Sequence, residues 1–169
     1  METTTYTQPE LVDLPAREVL AVDGAGSPDA PGFLAAIGGL FALYGTLGGA
    51  GDPPLEGTFA QEGDPMRLDL DDKDGWVWRL ALPAPAAATA AAVAAGDPRV
   101  ALVRQEPQRV ARLVHHGPYA DEEPSLAALY AFVAAGGLAP AGPHTEVYLT
   151  DPATTAPADM RTWLQVPVR

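Results

Sequence analysis

The chain carries the same succession of sequence patterns twice, and this internal repetition restricts the folds open to it. In each half, about 15–82 and about 107–168, an apolar strand-like run leads through a glycine-containing turn into apolar residues at helical spacing, and two further short runs follow. Alternation predicts strands, and the helical spacing predicts an amphipathic helix. The order strand–helix–strand–strand therefore occurs twice, which predicts an α+β fold.

We expect these tandem repeats to have pseudo-two-fold symmetry and to form an antiparallel sheet with helices on one face and a ligand cleft on the other. The segment between the halves is rich in alanine and proline, and about 86–96 is interpreted as a connecting helix because alanine favours helix. Residues 1–14 are polar and are interpreted as a loosely attached lead-in. One domain is predicted to occupy 15–169.

The helix of the second half has recognisable ends. Asp121 is a candidate N-cap residue, and Gly136 follows the last apolar position. Four residues at helical spacing are predicted to form its buried stripe: Leu126, Leu129, Tyr130 and Val133.

Composition restricts the kinds of function. The 169 residues are 47% hydrophobic and 19% charged, which is typical of a globular protein. The net charge of −12 disfavours direct binding of nucleic acid, whose phosphates would be repelled. It is compatible with a cationic ligand or a basic protein partner. The chain has no cysteine, no apolar run long enough to span a membrane and no secretory signal pattern, and we expect it to be cytoplasmic.

Several familiar chemistries have no motif in this sequence. There is no phosphate loop, dinucleotide fingerprint or serine nucleophile elbow. Three histidines without thiols make a zinc site a poor interpretation, although His144 and Glu146 share one face of a predicted strand. We therefore predict no cofactor and no metal.

Glu146 is the leading candidate for chemistry. In the alternating run TEVYL at 145–149, Glu146 and Tyr148 share one face of a strand while Val147 and Leu149 share the other. A partly buried carboxylate is costly unless it is paired, neutralised or used. Glu146 is predicted to act as a proton shuttle and Tyr148 as a donor to a substrate oxygen. The alternative interpretation is an ion pair between Glu146 and an arginine such as Arg112.

A second glutamate and several aromatic residues complete the predicted site. Glu56 lies in the corresponding strand of the first half, where it either approaches Glu146 across a central cleft or has a purely structural hydrogen-bonding role. Aromatic walls bind flat ligands by stacking and cations through the ring quadrupole, although an aromatic stripe such as Trp76 and Trp78 is also typical of an ordinary core. Tyr44 falls on a helical stripe near a helix end, where it packs in the core or reaches the cleft. The predicted ligand-binding residues are Trp78, Trp76, Glu56, Phe59, Tyr44, His116, Tyr119 and Trp163.

These motifs, taken in order, resemble the GyrI-like small-molecule-binding family, which also supplies the effector domain of multidrug-responsive transcription regulators. The likeness covers about 15–168. It rests in the second half on HGPY at 116–119, DEEP at 121–124, HTEVYL at 144–149, DP at 151–152 and TWLQVPV at 162–168, and in the first half on DGAG at 23–26, PLEG at 54–57 and GWVW at 75–78.

The first-half motifs are most similar to a stand-alone branch of that family, the cyclopropanoid cyclopropyl hydrolases. The resemblance implies an intracellular protein that binds a planar apolar or cationic xenobiotic and hydrolyses a strained, DNA-alkylating ring with an aromatic cage and a glutamate. The chain departs from that branch at Phe59 and Ala60, where the branch carries two tryptophans. Two alternatives stay open: a domain that sequesters its ligand without chemistry, and an acidic interaction module such as a gyrase inhibitor. A homodimer is compatible with each.

Overall fold

The secondary structure follows the predicted succession and adds two strands to it. A computed structural model describes residues 5–169. In chain order the elements are β1 Glu10–Leu14, β2 Arg17–Ala25, α1 Pro31–Thr46, β3 Glu56–Gln61, β4 Trp76–Pro83, α2 Ala90–Gly96, β5 Val100–Gln105, β6 Gln108–His116, α3 Glu123–Ala135, β7 Thr145–Tyr148 and β8 Arg161–Pro167. Within residues 5–169, no helix combines the length and apolarity that a membrane crossing requires.

The chain divides into two compact units. The central unit comprises Pro15–Pro107, and the terminal unit comprises residues 5–14 together with Gln108–Arg169. Strands of the central unit pair in the order β3-β4-β2-β5, and those of the terminal unit in the order β1-β6-β8-β7. All these pairings are antiparallel, so the predicted α+β class is confirmed.

The core of the central unit lies between α1 and one face of its sheet. Leu20, Leu80 and Leu82 have no solvent exposure and pack with Leu40 of α1. Pro31 occupies the first turn of α1, where its missing N–H costs nothing and its fixed φ suits a helix. Each leucine buried in this way contributes about 1.5–3 kcal/mol relative to an exposed one. This burial fixes which face of the central sheet carries α1.

The core of the terminal unit lies between α3 and its own sheet. Leu113 of β6 and Leu164 of β8 face each other in register and pack with Leu129 and Val133 of α3. Tyr130, predicted to belong to the same stripe, is instead 37% exposed, and that part of the prediction is wrong. Because a turn of helix spans 3.6 residues, Leu129 and Val133 face the sheet and Tyr130 is rotated away from it.

The segment predicted to be a loose lead-in contains a strand. Residues Glu10–Leu14 form β1, which pairs antiparallel with β6. Arg109 donates to Asp13, and Arg112 donates to Glu10, so charged cross-strand pairs accompany the backbone pairing. The connecting helix is present as α2 but begins later than predicted, at Ala90, where Thr89 accepts from Ala92 N.

The sheet register decides which face of the terminal unit carries the candidate residues. Residues paired across antiparallel strands point to the same face, and Glu146 pairs with Leu164 while Tyr148 pairs with Thr162. Leu164 belongs to the core under α3. Glu146 and Tyr148 therefore project from the face that carries α3, and a cleft on the helix-free face of this sheet is not confirmed. The pseudo-two-fold relation between the halves stays a prediction.

Candidate functional site

The candidate site of the terminal unit is built on β7. As the alternation predicted, Glu146 and Tyr148 lie side by side on one face, and the Tyr148 hydroxyl donates to Glu146 Oε2 at 2.7 Å. Val147, between them, is buried on the opposite face, opposite Trp163 in register. The predicted alternative partner of Glu146 does not contact it, since Arg112 pairs with Glu10.

The loop before α3 brings two further residues to Glu146. Gly117 adopts φ +124°, a conformation that side chains disfavour, and turns the chain out of β6. Tyr119 follows this turn, and its ring packs edge-on against Tyr148 with the ring centroids 5.4 Å apart. Glu122 is the N-cap residue of α3, in place of the predicted Asp121, and its buried carboxyl group lies close enough to that of Glu146 for the two to interact. Two carboxyl groups and two phenols thus gather at the start of α3.

A buried histidine attaches this loop and α3 to β6. His115 is completely buried, and its Nε2 lies 3.1 Å from the carbonyl oxygen of Pro118. A carbonyl only accepts, so Nε2 carries the proton, and in the neutral ring Nδ1 accepts from the Ser125 hydroxyl at 2.8 Å. Both contacts are local to the start of α3. His115 therefore has a structural role that positions Tyr119 and Glu122.

Glu122 is the most perturbed acid of the site. Its side chain is 6% exposed, and burial is the largest cause that raises its pKa, followed by the charge of Glu146 and the hydrogen bond to Glu146. The combined effect brings the pKa of Glu122 to about 9. At neutral pH the raised pKa keeps the Glu122 carboxyl group protonated, which avoids repulsion between two like charges in contact. Glu146 accepts the hydrogen bond from Tyr148.

The two phenols remain protonated donors. Burial, followed by the negative charge of Glu146, raises the pKa of Tyr119 to about 12 and that of Tyr148 well above its ordinary value. A tyrosine that keeps its proton can donate a hydrogen bond to an oxygen on which negative charge develops. The arrangement therefore combines a proton acceptor with two hydrogen-bond donors, as proton-transfer chemistry requires.

The site also contains a histidine and two unpartnered oxygens. His144 is buried, and its Nε2 lies 3.4 Å from Glu146 Oε1. Among the described residues, Glu122 Oε1 and Thr162 Oγ1 are buried side-chain oxygens without a hydrogen-bond partner, and Thr162 lies opposite Tyr148 in the sheet. Within residues 5–169, no three or more His, Asp or Glu side chains are arranged so that they could hold a metal ion.

Two of the predicted ligand-binding residues lie on the other face of the terminal sheet. Trp163 is in register with Val147 and has the Arg112 guanidinium 4.4 Å from the centre of its ring. His116 lies opposite Arg161. Burial, followed by the charges of Arg161 and His115, lowers the pKa of His116. The register therefore does not bring Trp163 and His116 together with Glu146.

Glu56 of the central unit has a structural partner. Both of its oxygens accept from the Arg17 guanidinium, at 2.7 and 2.6 Å, and Arg17 Nε donates to Gln105. Glu56 pairs in register with Ala81, which packs with Val19 and Ala21 in a cluster separate from the core under α1. It therefore lies on the face away from α1, whereas Glu146 lies on the α3 face of its sheet. The two glutamates do not occupy equivalent faces.

The predicted aromatic residues of the central unit pack together in its core. Trp78 contacts Phe33 edge-on, with the ring centroids 5.0 Å apart. Phe59 packs against Trp76, with the ring centroids 5.7 Å apart. Both indole N–H groups donate to backbone carbonyls, Trp76 to Asp69 and Trp78 to Gly26. Tyr44 donates its hydroxyl to Ala50 O near the end of α1. The tryptophans are under 10% exposed, so this buried aromatic cluster supports the fold of the central unit.

Sequence reasoning did not identify Glu122 as a site residue. Its position suggested only an acid suited to the positive end of a helix. The available signal was the pair of adjacent acids Glu122 and Glu123 before Pro124, of which one is buried and the other exposed. Periodicity does not tell which of two neighbouring loop residues points inward, because a loop has no repeating geometry.

Comparison with known proteins gives one family match. The model of the GyrI-like small-molecule-binding domain matches residues 83–169, more than half of the chain. An uncharacterised conserved protein from Listeria innocua is 31% identical, with 96% of this chain and 92% of that one covered and a TM-score of 0.84. A hydrolase from Listeria innocua is 29% identical, with 96% of this chain and 92% of that one covered and a TM-score of 0.81.

A more distant structure shares the fold alone. The C-terminal domain of EcmrR is 14% identical, covers 96% of this chain and 97% of that one, and has a TM-score of 0.67. No curated protein matches significantly.

Proposed function

Because this chain belongs to the GyrI-like small-molecule-binding family, we propose that it binds a planar, electrophilic small molecule and hydrolyses it by addition of water. The substrate class is a xenobiotic or natural product with a strained ring, such as a cyclopropane-bearing DNA alkylator, and the role is detoxification or self-protection. One observation carries the proposal: the phenol of Tyr148 donates to the partly buried Glu146 carboxylate, beside the buried carboxyl group of Glu122. The hydrolase from Listeria innocua, 29% identical, supports it.

The proposed reaction assigns a role to Glu146 and to Tyr148, the two polar side chains that share one face of β7. The Glu146 carboxylate removes a proton from water while the water oxygen bonds to a ring carbon. The strained carbon–carbon bond breaks, and its electron pair moves through the conjugated system to the substrate's carbonyl oxygen. Tyr148, released as Glu146 becomes protonated, donates a hydrogen bond to that oxygen. The proton then passes from the carboxyl pair to the oxygen, so that one water is added and the pair is restored.

The aromatic and charged character of the site suits such a ligand. Tyr119 is 36% exposed and packs edge-on against Tyr148, so its ring can contact a flat substrate at the edge of the site. The single negative charge of the carboxyl pair also favours ligands with positive charge. Binding by the buried tryptophans Trp76 and Trp78 would require the central core to open, so we assign the principal ring contacts to Tyr119 and Tyr148.

The proposed reaction is tested by incubating the protein with flat, cyclopropane-bearing alkylators and measuring products by mass spectrometry. We expect a product heavier than the substrate by one water, and Glu146→Gln should lower kcat by about 10²–10⁴-fold because the proton acceptor is lost. Glu123→Gln is the matched control, since Glu123 is exposed in the same helical turn as Glu122. If Glu146→Gln turned over substrate at the wild-type rate, Glu146 would not be the base.

Binding without chemistry is the second candidate function. In the described structure the Tyr148 hydroxyl already donates to Glu146 Oε2, which favours a site that only holds its ligand. This function predicts saturable quenching of tryptophan or tyrosine fluorescence and recovery of the ligand with unchanged mass. The same mass-spectrometric experiment therefore separates the two candidates.

A further inference from the structure

Glu122 occupies a position where an ionised carboxylate is expected, but its side chain does not act as one. An N-cap carboxylate ordinarily accepts from backbone N–H groups of the first turn. Glu122 has φ −75° and ψ −18°, which are helical values, and makes no side-chain cap hydrogen bond. Its side chain is buried, and its carboxyl group interacts with that of Glu146 on β7. The helix N-terminus therefore does not explain why an acid is buried here.

The groups that face Glu122 favour its neutral form. Within residues 5–169, neither Glu122 nor Glu146 lies in an ion pair with an arginine or lysine. The strand β7 contributes a carboxyl group and a phenol, and the loop before α3 contributes a second phenol. The titratable groups that lie near Glu122 or near its neighbours in the site are Glu146, Tyr148, Tyr119, His144, Asp151 and His115.

The unpartnered oxygen points to the same conclusion. Glu122 Oε1 is buried without a hydrogen-bond partner. Leaving such an oxygen unsatisfied costs more when it belongs to a carboxylate than when it belongs to a neutral acid. A neutral carboxyl group also has one O–H donor, which Glu146 can accept. Glu122 is therefore suited to donate a hydrogen bond to Glu146 in its neutral form, and its ionised form is disfavoured.

We infer that Glu122 is a positioning residue of this site: its protonated carboxyl group donates a hydrogen bond to Glu146 and holds the Glu146 carboxylate where it accepts from Tyr148. The expected effect on kcat rests on the proposed function. The structural role of Glu122 rests on the buried contacts alone. Glu146 is held by donors from two directions, β7 and the start of α3. Because Glu122 Oε1 is inaccessible, Glu122 acts through Glu146 and does not touch the ligand.

The pair also has a defined proton balance in the proposed reaction. Before reaction it contains one proton, held by Glu122. The proton removed from water brings the pair to two, and transfer of one proton to the product oxygen returns it to one. The shared proton thus keeps a second negative charge away from the approaching substrate oxygen and leaves Glu146 as the acceptor.

Two variants distinguish this role from simple packing. Glu122→Gln keeps an N–H donor to Glu146 but cannot titrate, and Glu122→Leu removes the donor while keeping the site filled. We expect Glu122→Gln to preserve the Glu146–Tyr148 contact and most of kcat at neutral pH. Glu122→Leu should lower kcat by roughly 10²-fold with KM little changed, since a group misplaced by about 1 Å can cost that much. Glu123→Gln is the control for both.

A carboxyl-carbon NMR titration decides the inference whether or not hydrolysis occurs. Wild-type protein should show one glutamate side chain that titrates far above the usual range, absent in Glu122→Gln and retained in Glu123→Gln. The Tyr148 ring signals should change in Glu122→Leu and stay in Glu122→Gln. If no glutamate titrates above neutral pH, or if Glu122→Leu leaves the Tyr148 signals unchanged, the inference is overturned. If these signals behave as expected and no substrate is hydrolysed, only the proposed function fails.

Discussion

Residue 24 controls whether the Trp78 indole can occupy its place in the core of the central unit. Gly24 pairs in register with Trp78, and the ring lies directly over the glycine. A Cβ atom at residue 24 would come within 2.1 Å of the Trp78 ring. The close approach also lets the indole N–H reach Gly26 O at 3.2 Å. Gly24, near the end of β2, is therefore a packing requirement as well as part of a turn signal.

Gly24→Ala should destabilise the protein by about 1–3 kcal/mol, because the added methyl group forces the Trp78 ring out of its position. Gly38→Ala is the matched control: Gly38 lies in α1, a methyl group added there would have nothing within 4 Å, and alanine should stabilise by about 0.5–1 kcal/mol. Urea unfolding measures both free energies. Equal effects of the two substitutions would contradict the assigned packing.

The ion pair between Arg17 and Glu56 is the main buried charge interaction of the central unit. The guanidinium binds both carboxylate oxygens, and Glu56 is 6% exposed. Removing one member leaves the other charge buried and uncompensated, whereas removing both does not.

Arg17→Leu should therefore destabilise by about 3 kcal/mol, toward the low end for buried pairs since Arg17 is partly exposed. The double variant Arg17→Leu, Glu56→Leu should recover a large part of that loss. Thermal or urea unfolding of the four proteins of the cycle measures the coupling. If the double variant were as unstable as the sum of the single variants, Glu56 would be held by something other than Arg17.

At the scale of elements, the start of α3 is fixed by the buried contact between β6 and the helix. His115 reaches Ser125 and Pro118 from one strand, and both partners flank Glu122 in sequence. The orientation of the site thus depends on a hydrogen-bonded histidine that the proposed chemistry does not use.

Ser125→Ala should destabilise by about 1–3 kcal/mol because it leaves buried His115 Nδ1 without a partner. The Tyr119 and Tyr148 ring signals should shift as well, since Tyr119 lies in the loop before α3 and packs against Tyr148. Ser27→Ala, at the other serine of the chain, is the control, with an expected change within about 0.5 kcal/mol. An unchanged unfolding free energy for Ser125→Ala would show that the histidine contact does not hold α3.

At the scale of the whole molecule, the carboxyl pair links folding to pH. The pKa of Glu122 is raised from 4.5 to about 9 in the folded state, so between these values the folded protein binds a proton that the unfolded chain releases. Stability contributed by this proton is present below about pH 4.5 and is lost as pH rises toward 9. The lowered pKa values of Asp13, Asp23 and Asp97 act below this window.

Wild-type protein should lose stability relative to Glu122→Gln as pH rises from about 5 to about 9, by up to about 1.4 kcal/mol per pH unit. His116, whose pKa is lowered, contributes in the opposite direction, but it is present in both proteins and cancels in the difference. Urea unfolding at several pH values measures this difference. A difference that does not depend on pH would mean that Glu122 is ionised in the folded protein.

The sequence by itself determined the succession of strands and helices, the family, and the neighbourhood of Glu146 and Tyr148. Period-2 alternation places two side chains on one face whatever the strand packs against, so that part needs no tertiary information. The two added strands, β1 and β5, are short and lack a clear periodic signal, and their places depend on the partners β6 and β2.

Only the tertiary structure decided which face of the terminal sheet carries α3 and which side chains contact Glu146 and Glu56. The packing of α3 brings Glu122 to Glu146, and the central sheet brings Arg17 to Glu56. The register of the terminal sheet separates Trp163 and His116 from Glu146. Periodicity describes one element at a time, whereas burial and ion pairing join elements that are distant in the chain. The free energy that neutralises Glu122 comes from that joining, because the same carboxyl group in an unfolded chain would be hydrated and charged.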